Sequence, residues 1–113
     1  MDIYAALADP TRRTIIELIA RNGRLSVHDI SRNFQSSQPA ISQHLKILRE
    51  VKLVDVEKRA QQRIYAINPD TMLAVEAWIH QTIRLWSKRF DALDKLLQEQ
   101  KKKTIRKEVS NGK

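Results

Sequence analysis

The sequence predicts a mainly helical fold with a small β-hairpin, its elements following one another as α-α-α-α-β-β-α. Three observations carry this reading. Apolar residues recur at spacings of three and four through most of the chain, as they do on the buried face of a helix. The period shifts towards two only between Leu53 and Ile67. Capping residues, among them Asp9, Ser26 and Asn68, stand immediately ahead of the helical stretches.

Ile3 to Ala8 reads as a short first helix whose apolar candidates are Ile3, Leu7 and Tyr4. Asp9-Pro10 ends it and opens the next: Asp9 as cap, Pro10 in the first helical position, where a missing N–H costs nothing. The second helix runs from Thr11 to about Arg21 with Ile15, Leu18 and Ile19 as its buried stripe, and Asn22-Gly23 stops it. Ser26 with Asp29 three residues on is a capping-box pattern for a third helix, Val27 to Asn33, with Val27, Ile30 and Phe34 apolar. Ser36 or Ser37 caps the fourth, where Pro39 is tolerated because it falls in the first turn. On that helix Ile41, Leu45 and Leu48 point to the core, and Gln38, Ser42, Gln43, Lys46 and Arg49 point away.

Leu53–Lys58 and Gln62–Ile67 pair as a hairpin across Arg59-Ala60-Gln61, with Lys58, Arg59 and Arg63 making its tip basic. Without Asn-Gly or Asp-Gly the turn type stays open. Helices followed by a basic hairpin describe a winged helix-turn-helix. Asn68-Pro69 then starts a last helix on which Met72, Val75, Ile79, Ile83, Trp86, Phe90, Leu93 and Leu97 recur, with a second stripe of Trp78, Leu85 and Leu96. One small domain covers one face of so long a helix. The other face calls for a partner, and the same helix of a second copy is the simplest one.

At 113 residues the chain has room for one domain, 1–99, whose last helix spans about 69–99, followed by a basic tail, 100–113, expected to fray or be disordered. The formal net charge is +8, of which Gln100–Lys113 supplies +5, so the charge argument for a polyanionic partner is weak taken alone. With no cysteine, thiolate metal sites and cysteine nucleophiles are excluded, and the composition suits a reducing cytoplasm. No signal peptide or stretch of ~18 apolar residues points to a membrane. There is no phosphate-cradling glycine loop and no nucleophile matched to a base, so the chain is not expected to be an enzyme or to need a cofactor.

Gln38, Ser42, Gln43 and Lys46 are the candidates for contact with double-stranded DNA: amides bond adenine edges in two places, Lys reaches guanine or phosphate, and Ser serves either. The plain alternative for the same residues is a solvated helix face. Arg59, Gln62 and Arg63 are the hairpin candidates, since arginine on such a tip enters the minor groove or grips phosphates. Thr11 and Arg12, with the free N–H groups of a helix start, suit one phosphate; Arg12 and Arg13 equally suit surface ion pairs. His44 lies between the outward and inward faces, fit for DNA contact or for packing. His80 with Glu76 four residues earlier offers at most two metal ligands or a helix-stabilising pair, and no resident metal is expected.

AALADPTRRTIIELI (5–19), QPAISQHLKILREVKLV (38–54) and RIYAINP (63–69) together resemble the ArsR/SmtB family of repressors over about residues 3–98. Val51-Lys52 stands where that family usually has Ala-Gly. The resemblance implies a homodimer held by its first and last helices, here Ile3, Leu7, Ile79, Ile83, Trp86, Phe90 and Leu93, bound to an inverted-repeat operator. It also implies that Ser42, Gln43 and Lys46 meet DNA and that the hairpin is the wing. The metal-sensing branch carries a Cys-x-Cys motif where this chain has Ser26 and His28 in RLSVHDI. The closing AWIHQTIRLWSKRFDALDKLL resembles the metal-free branch, whose members respond to a partner protein or an unidentified signal. Two alternatives remain at this point: a metal-responsive repressor using His80 and Glu76, and a basic architectural module that binds any duplex.

Overall fold

Each helix begins where a short polar side chain accepts backbone N–H groups that lack a partner within the helix. Asp2 accepts from Ala5 N at 2.7 Å to start α1, Ile3–Leu7. Asp9 accepts from Thr11 N and Arg12 N at 2.7 and 3.2 Å to start α2, Pro10–Asn22, with Pro10 as its first residue. Ser26 accepts from Asp29 N at 3.1 Å ahead of α3, Val27–Ser31, and Ser37 accepts from Ala40 N at 3.3 Å ahead of α4, Gln38–Glu50. The structure is a computed structural model describing residues 1–111, with side chains as far as Thr104.

Three strands accompany these helices: β1, Arg24–Ser26; β2, Val54–Arg59; and β3, Gln62–Ile67. They form one antiparallel sheet in the order β1-β3-β2. The hairpin is the expected one, but β1 is an addition. Three residues are too few to show a period of two, and they become a strand only by pairing with Ala66, Tyr65 and Ile64 far along the chain.

In Met1–Ala74, the first of two compact units, the core comprises Ala6, Ile15, Ile16, Ile19, Ile30, Ile41, Leu45, Leu48, Leu53, Val54 and Tyr65. The expected apolar faces of α3 and α4 are as read. On α2 the buried stripe is Ile15, Ile16 and Ile19, and Leu18 is half-buried. Helix α3 ends at Ser31 rather than Asn33, the chain turning on through Asn33 N to Ile30 O and Phe34 N to Ser31 O.

Helix α4 ends in a Schellman motif. Leu53 N donates to Leu48 O at 2.9 Å and Lys52 N to Arg49 O at 3.0 Å, with buried Leu53 following its closing residue. The motif puts Lys52 at φ +65°, a left-handed conformation that glycine adopts without strain. Ala60, the first residue of the two-residue hairpin turn, likewise has φ +52°.

The last helix, α5, spans Pro69–Asn111. Its N-terminal turn belongs to the first unit, where Met72 packs on the core. The helix runs beyond the expected end at residue 99, so Gln100–Asn111, anticipated as frayed, is helical; the rest of the expected tail lies outside the described residues. In the second unit, from Val75 onward, every side chain from Glu76 to Thr104 is exposed in the single chain. Ile79, Trp86 and Leu93 are spaced by seven, with Ile83, Phe90 and Leu97 four residues after each.

Candidate nucleic-acid interface

The outward face of α4 is set by its inward one. With Ile41, Leu45 and Leu48 fully buried, Gln38, Ser42, Gln43 and Lys46 are turned to solvent, and Arg49 stays half-buried at the edge. Gln38, Ser42, Lys46 and Arg49 follow one another at helical spacing along one side.

The hairpin is oriented by a similar constraint. Tyr65 is buried, so two residues away on β3 Arg63 lies on the same side of the sheet. Arg63 and Tyr65 together with Pro39, Ser42, Gln43, Lys46 and Arg49 line a cleft of about 340 Å³ between hairpin and helix. A neighbouring hollow of the same volume, 340 Å³, is lined by Gln38, Ser42, His28, Gln61, Gln62 and Arg63. No carboxylate lines either one. Six of the expected contacts (Gln38, Ser42, Gln43, Lys46, Gln62 and Arg63) are thus brought to one concave, cationic, amide-bearing surface.

Arg59 goes elsewhere. It lines neither hollow, and its Nε lies 3.4 Å from Glu57, which also pairs with Arg24 at 3.3 Å. Lys58, directly opposite Arg63, is the basic tip residue on the α4 side. Arg49, Lys58, His28 and Gln61 are the residues that sequence reasoning did not assign. Arg49 was within reach of it, since it lies seven residues after Ser42 on the same helical face.

Thr11 and Arg12 correct the expectation of a phosphate site at the start of α2. Their N–H groups are already taken by the Asp9 carboxylate. The Arg12 N–H and then that of Thr11, aided by the Arg12 guanidinium, hold the Asp9 carboxyl below its ordinary pKa against the opposing effect of burial. The Arg12 side chain is itself buried, 8% exposed. Its guanidinium donates to Ala6 O at 2.7 Å, to Ala5 O at 3.4 Å and to His44 Nδ1 at 3.3 Å, with Asp9 at 3.8 Å. Arg13 donates to Leu7 O and Ala8 O at 2.7 and 3.1 Å. The two arginines therefore satisfy the carbonyls at the end of α1, and half-buried His44 is the residue of α4 that the Arg12 guanidinium reaches. Glu76 and His80 are exposed on α5, and among the described residues no three His, Asp or Glu side chains gather as metal ligands.

A helical core carrying a short helix, a tight turn and a second helix with a polar outer face, flanked by a basic hairpin, defines a winged helix-turn-helix DNA-binding domain. The sequence profile of bacterial regulatory proteins of the arsR family matches residues 9–56. The HTH-type transcriptional regulator Rv2034 of Mycobacterium tuberculosis is 34% identical over 94 residues, covering 83% of this chain and 84% of that one. The transcriptional repressor SdpR of Bacillus subtilis is 31% identical over 78 residues, covering 69% and 86%. A crystal structure of an ArsR family transcriptional regulator superposes with a TM-score of 0.69 at 32% identity, over 75% of this chain and 87% of that one. The chain belongs to the ArsR family of bacterial regulatory proteins, which are DNA-binding transcriptional regulators and not enzymes.

Proposed function

We propose that the protein is a cytoplasmic homodimeric repressor that binds an inverted-repeat operator, with α4 in the major groove and the β2–β3 hairpin as its wing. The observation that carries this reading is the convergence of Gln38, Ser42, Gln43 and Lys46 with Gln62 and Arg63 on one surface free of carboxylates. Amides serve base edges, whereas binding by charge alone needs only cations, so the reading favours sequence recognition over an architectural role.

The dimer is supported by α5. Ile79 (44% exposed), Ile83 (55%), Trp86 (67%), Phe90 (59%) and Leu93 (54%) form a repeating apolar stripe that a lone chain leaves in water. Pairing two such helices buries it and sets two reading helices about one turn of DNA apart. Ile3 and Leu7, partly buried on the core, are the contribution of α1 to that interface. Release from DNA then belongs to an effector, a protein or a small molecule, acting on the dimer.

The test is fluorescence anisotropy with duplex DNA from upstream of the protein's own gene, beside a scrambled duplex of equal composition, at physiological salt. A preference of about 1000-fold, with two chains per site, is the expected result. Equal, strongly salt-dependent binding to both duplexes, repeated in a genome-wide binding selection that enriches no motif, would overturn it.

A further inference from the structure

We propose that the cleft between α4 and β3 is a phosphoryl-anion site. It takes one backbone phosphate when DNA is bound and a free polyphosphate when it is not, so that small polyphosphates compete with the operator. The DNA half of this rests on the reading above; the site itself does not.

Three features support it. Lys46 and Arg49 come from one wall of the cleft and Arg63 from the other, with the Ser42 hydroxyl as a further donor and no carboxylate among the lining residues. Arg63 also faces Lys58 directly across the strand pair. Like charges in that position repel and cost stability, and the cost is recovered when an anion sits between or beside them. Five other cations of the same unit are already engaged, Arg12 and Arg13 by carbonyls of α1, Arg24 and Arg59 by Glu57, and Arg32 by Asp29 at 3.6 Å; Arg21 and Lys52 are not, but neither lines the cleft. Among the described residues no hydrogen bond or ion pair holds the side chain of Lys46, Arg49, Lys58 or Arg63.

The residue types fit phosphoryl oxygens. An arginine fork binds two oxygens of one phosphate side by side, lysine adds a point charge, and a serine hydroxyl donates to a third. A bound polyphosphate would occupy the groove that the wing and α4 present to DNA, so the two ligands exclude each other.

The experiment is calorimetric titration of the full-length chain with sodium tripolyphosphate at low salt, paired with release of labelled duplex by the same anion. Saturable binding is expected, weakened about tenfold in Arg49→Ala and in Arg63→Ala, each of which removes a charge-assisted hydrogen-bond donor. Arg24→Ala and Arg32→Ala remove the same charge from carboxylate-paired positions and are expected to stay within about twofold. No saturable binding, or equal weakening in all four variants, overturns the site and leaves the DNA reading intact. Saturable, variant-sensitive binding that fails to release DNA overturns the competition and the shared phosphate. If the chain binds tripolyphosphate but no duplex at all, the DNA reading fails and the anion site stands.

Discussion

Arg12 Nε donates to the backbone carbonyl of Ala6 at 2.7 Å, a bond by which a buried side chain of α2 closes the end of α1. The same guanidinium reaches His44 on α4 at 3.3 Å, so one charge ties three helices together. Arg12→Ala strands those carbonyls and is expected to cost about 2–3 kcal/mol in urea denaturation. Arg12→Lys should not restore it, because a point charge lacks the fork. The salt dependence of DNA binding should stay as in the wild type; a shallower slope would mean Arg12 touches phosphate after all.

Asp9 gives a pH signature. Its carboxyl is held below its ordinary pKa in the folded chain, chiefly by the Arg12 N–H. Its contribution is therefore full above about pH 4 and is lost as pH falls through the depressed folded value. Asp9→Asn keeps an acceptor at the cap without a titrating group. The stability gap between wild type and this variant is expected to be flat near neutrality and to shrink on acidification. A gap that widens in acid would reverse the sign argued here.

Lys52 and Ala60 occupy left-handed positions without being glycine. Lys52→Gly and Ala60→Gly are each expected to raise stability by about 1 kcal/mol, because the side-chain clash is removed where the backbone has no other choice. Thermal melts of the two variants and the double variant measure it, and the double should add. A loss of stability in either would place the benefit of glycine in the unfolded chain.

Gln43 and Lys46 separate two kinds of contact. Gln43→Ala should weaken operator binding by about 1–3 kcal/mol and leave binding to a scrambled duplex unchanged. Lys46→Ala should weaken both alike and lower the salt slope by about 1. The opposite pattern in an anisotropy salt series would exchange the roles of the two side chains.

Phe90→Glu puts a charge in the centre of the apolar stripe on α5. Sedimentation is expected to show dimer for the wild type and monomer for the variant, with the fold of Met1–Ala74 retained in circular dichroism. A wild-type monomer at micromolar concentration would remove the dimer from the proposal.

Much of the winged unit was legible in the sequence. Asp9, Ser26 and Ser37 stand next to the helices that they cap, and capping is a contact between near neighbours. Ile41, Leu45 and Leu48 disclose which side of α4 is buried, and with it which side is free. The misreadings share another cause. Strand β1 exists only through its pairing with β3, and the burial of Arg12 depends on where α1 lands. Neither fact has a local trace in the residues concerned.

Arg59 and Lys58 mark the same boundary within the site. Both are basic, adjacent and at the tip of one hairpin, so composition ranks them equally. Register separates them: a strand alternates its faces, and buried Tyr65 decides which face turns towards α4. The sequence by itself determined the order of elements, the caps and the outward residues of α4, because these follow from periodicity and from bonds between near neighbours. Tertiary structure alone decided that Arg12 serves packing, that Arg59 turns to Glu57, and that Lys46, Arg49 and Arg63 share one cleft. The first and last of these depend on contacts between segments distant in sequence, and the second on which face of the hairpin the fold turns towards α4, so that the geometry of one segment selects among chemically equivalent side chains of another.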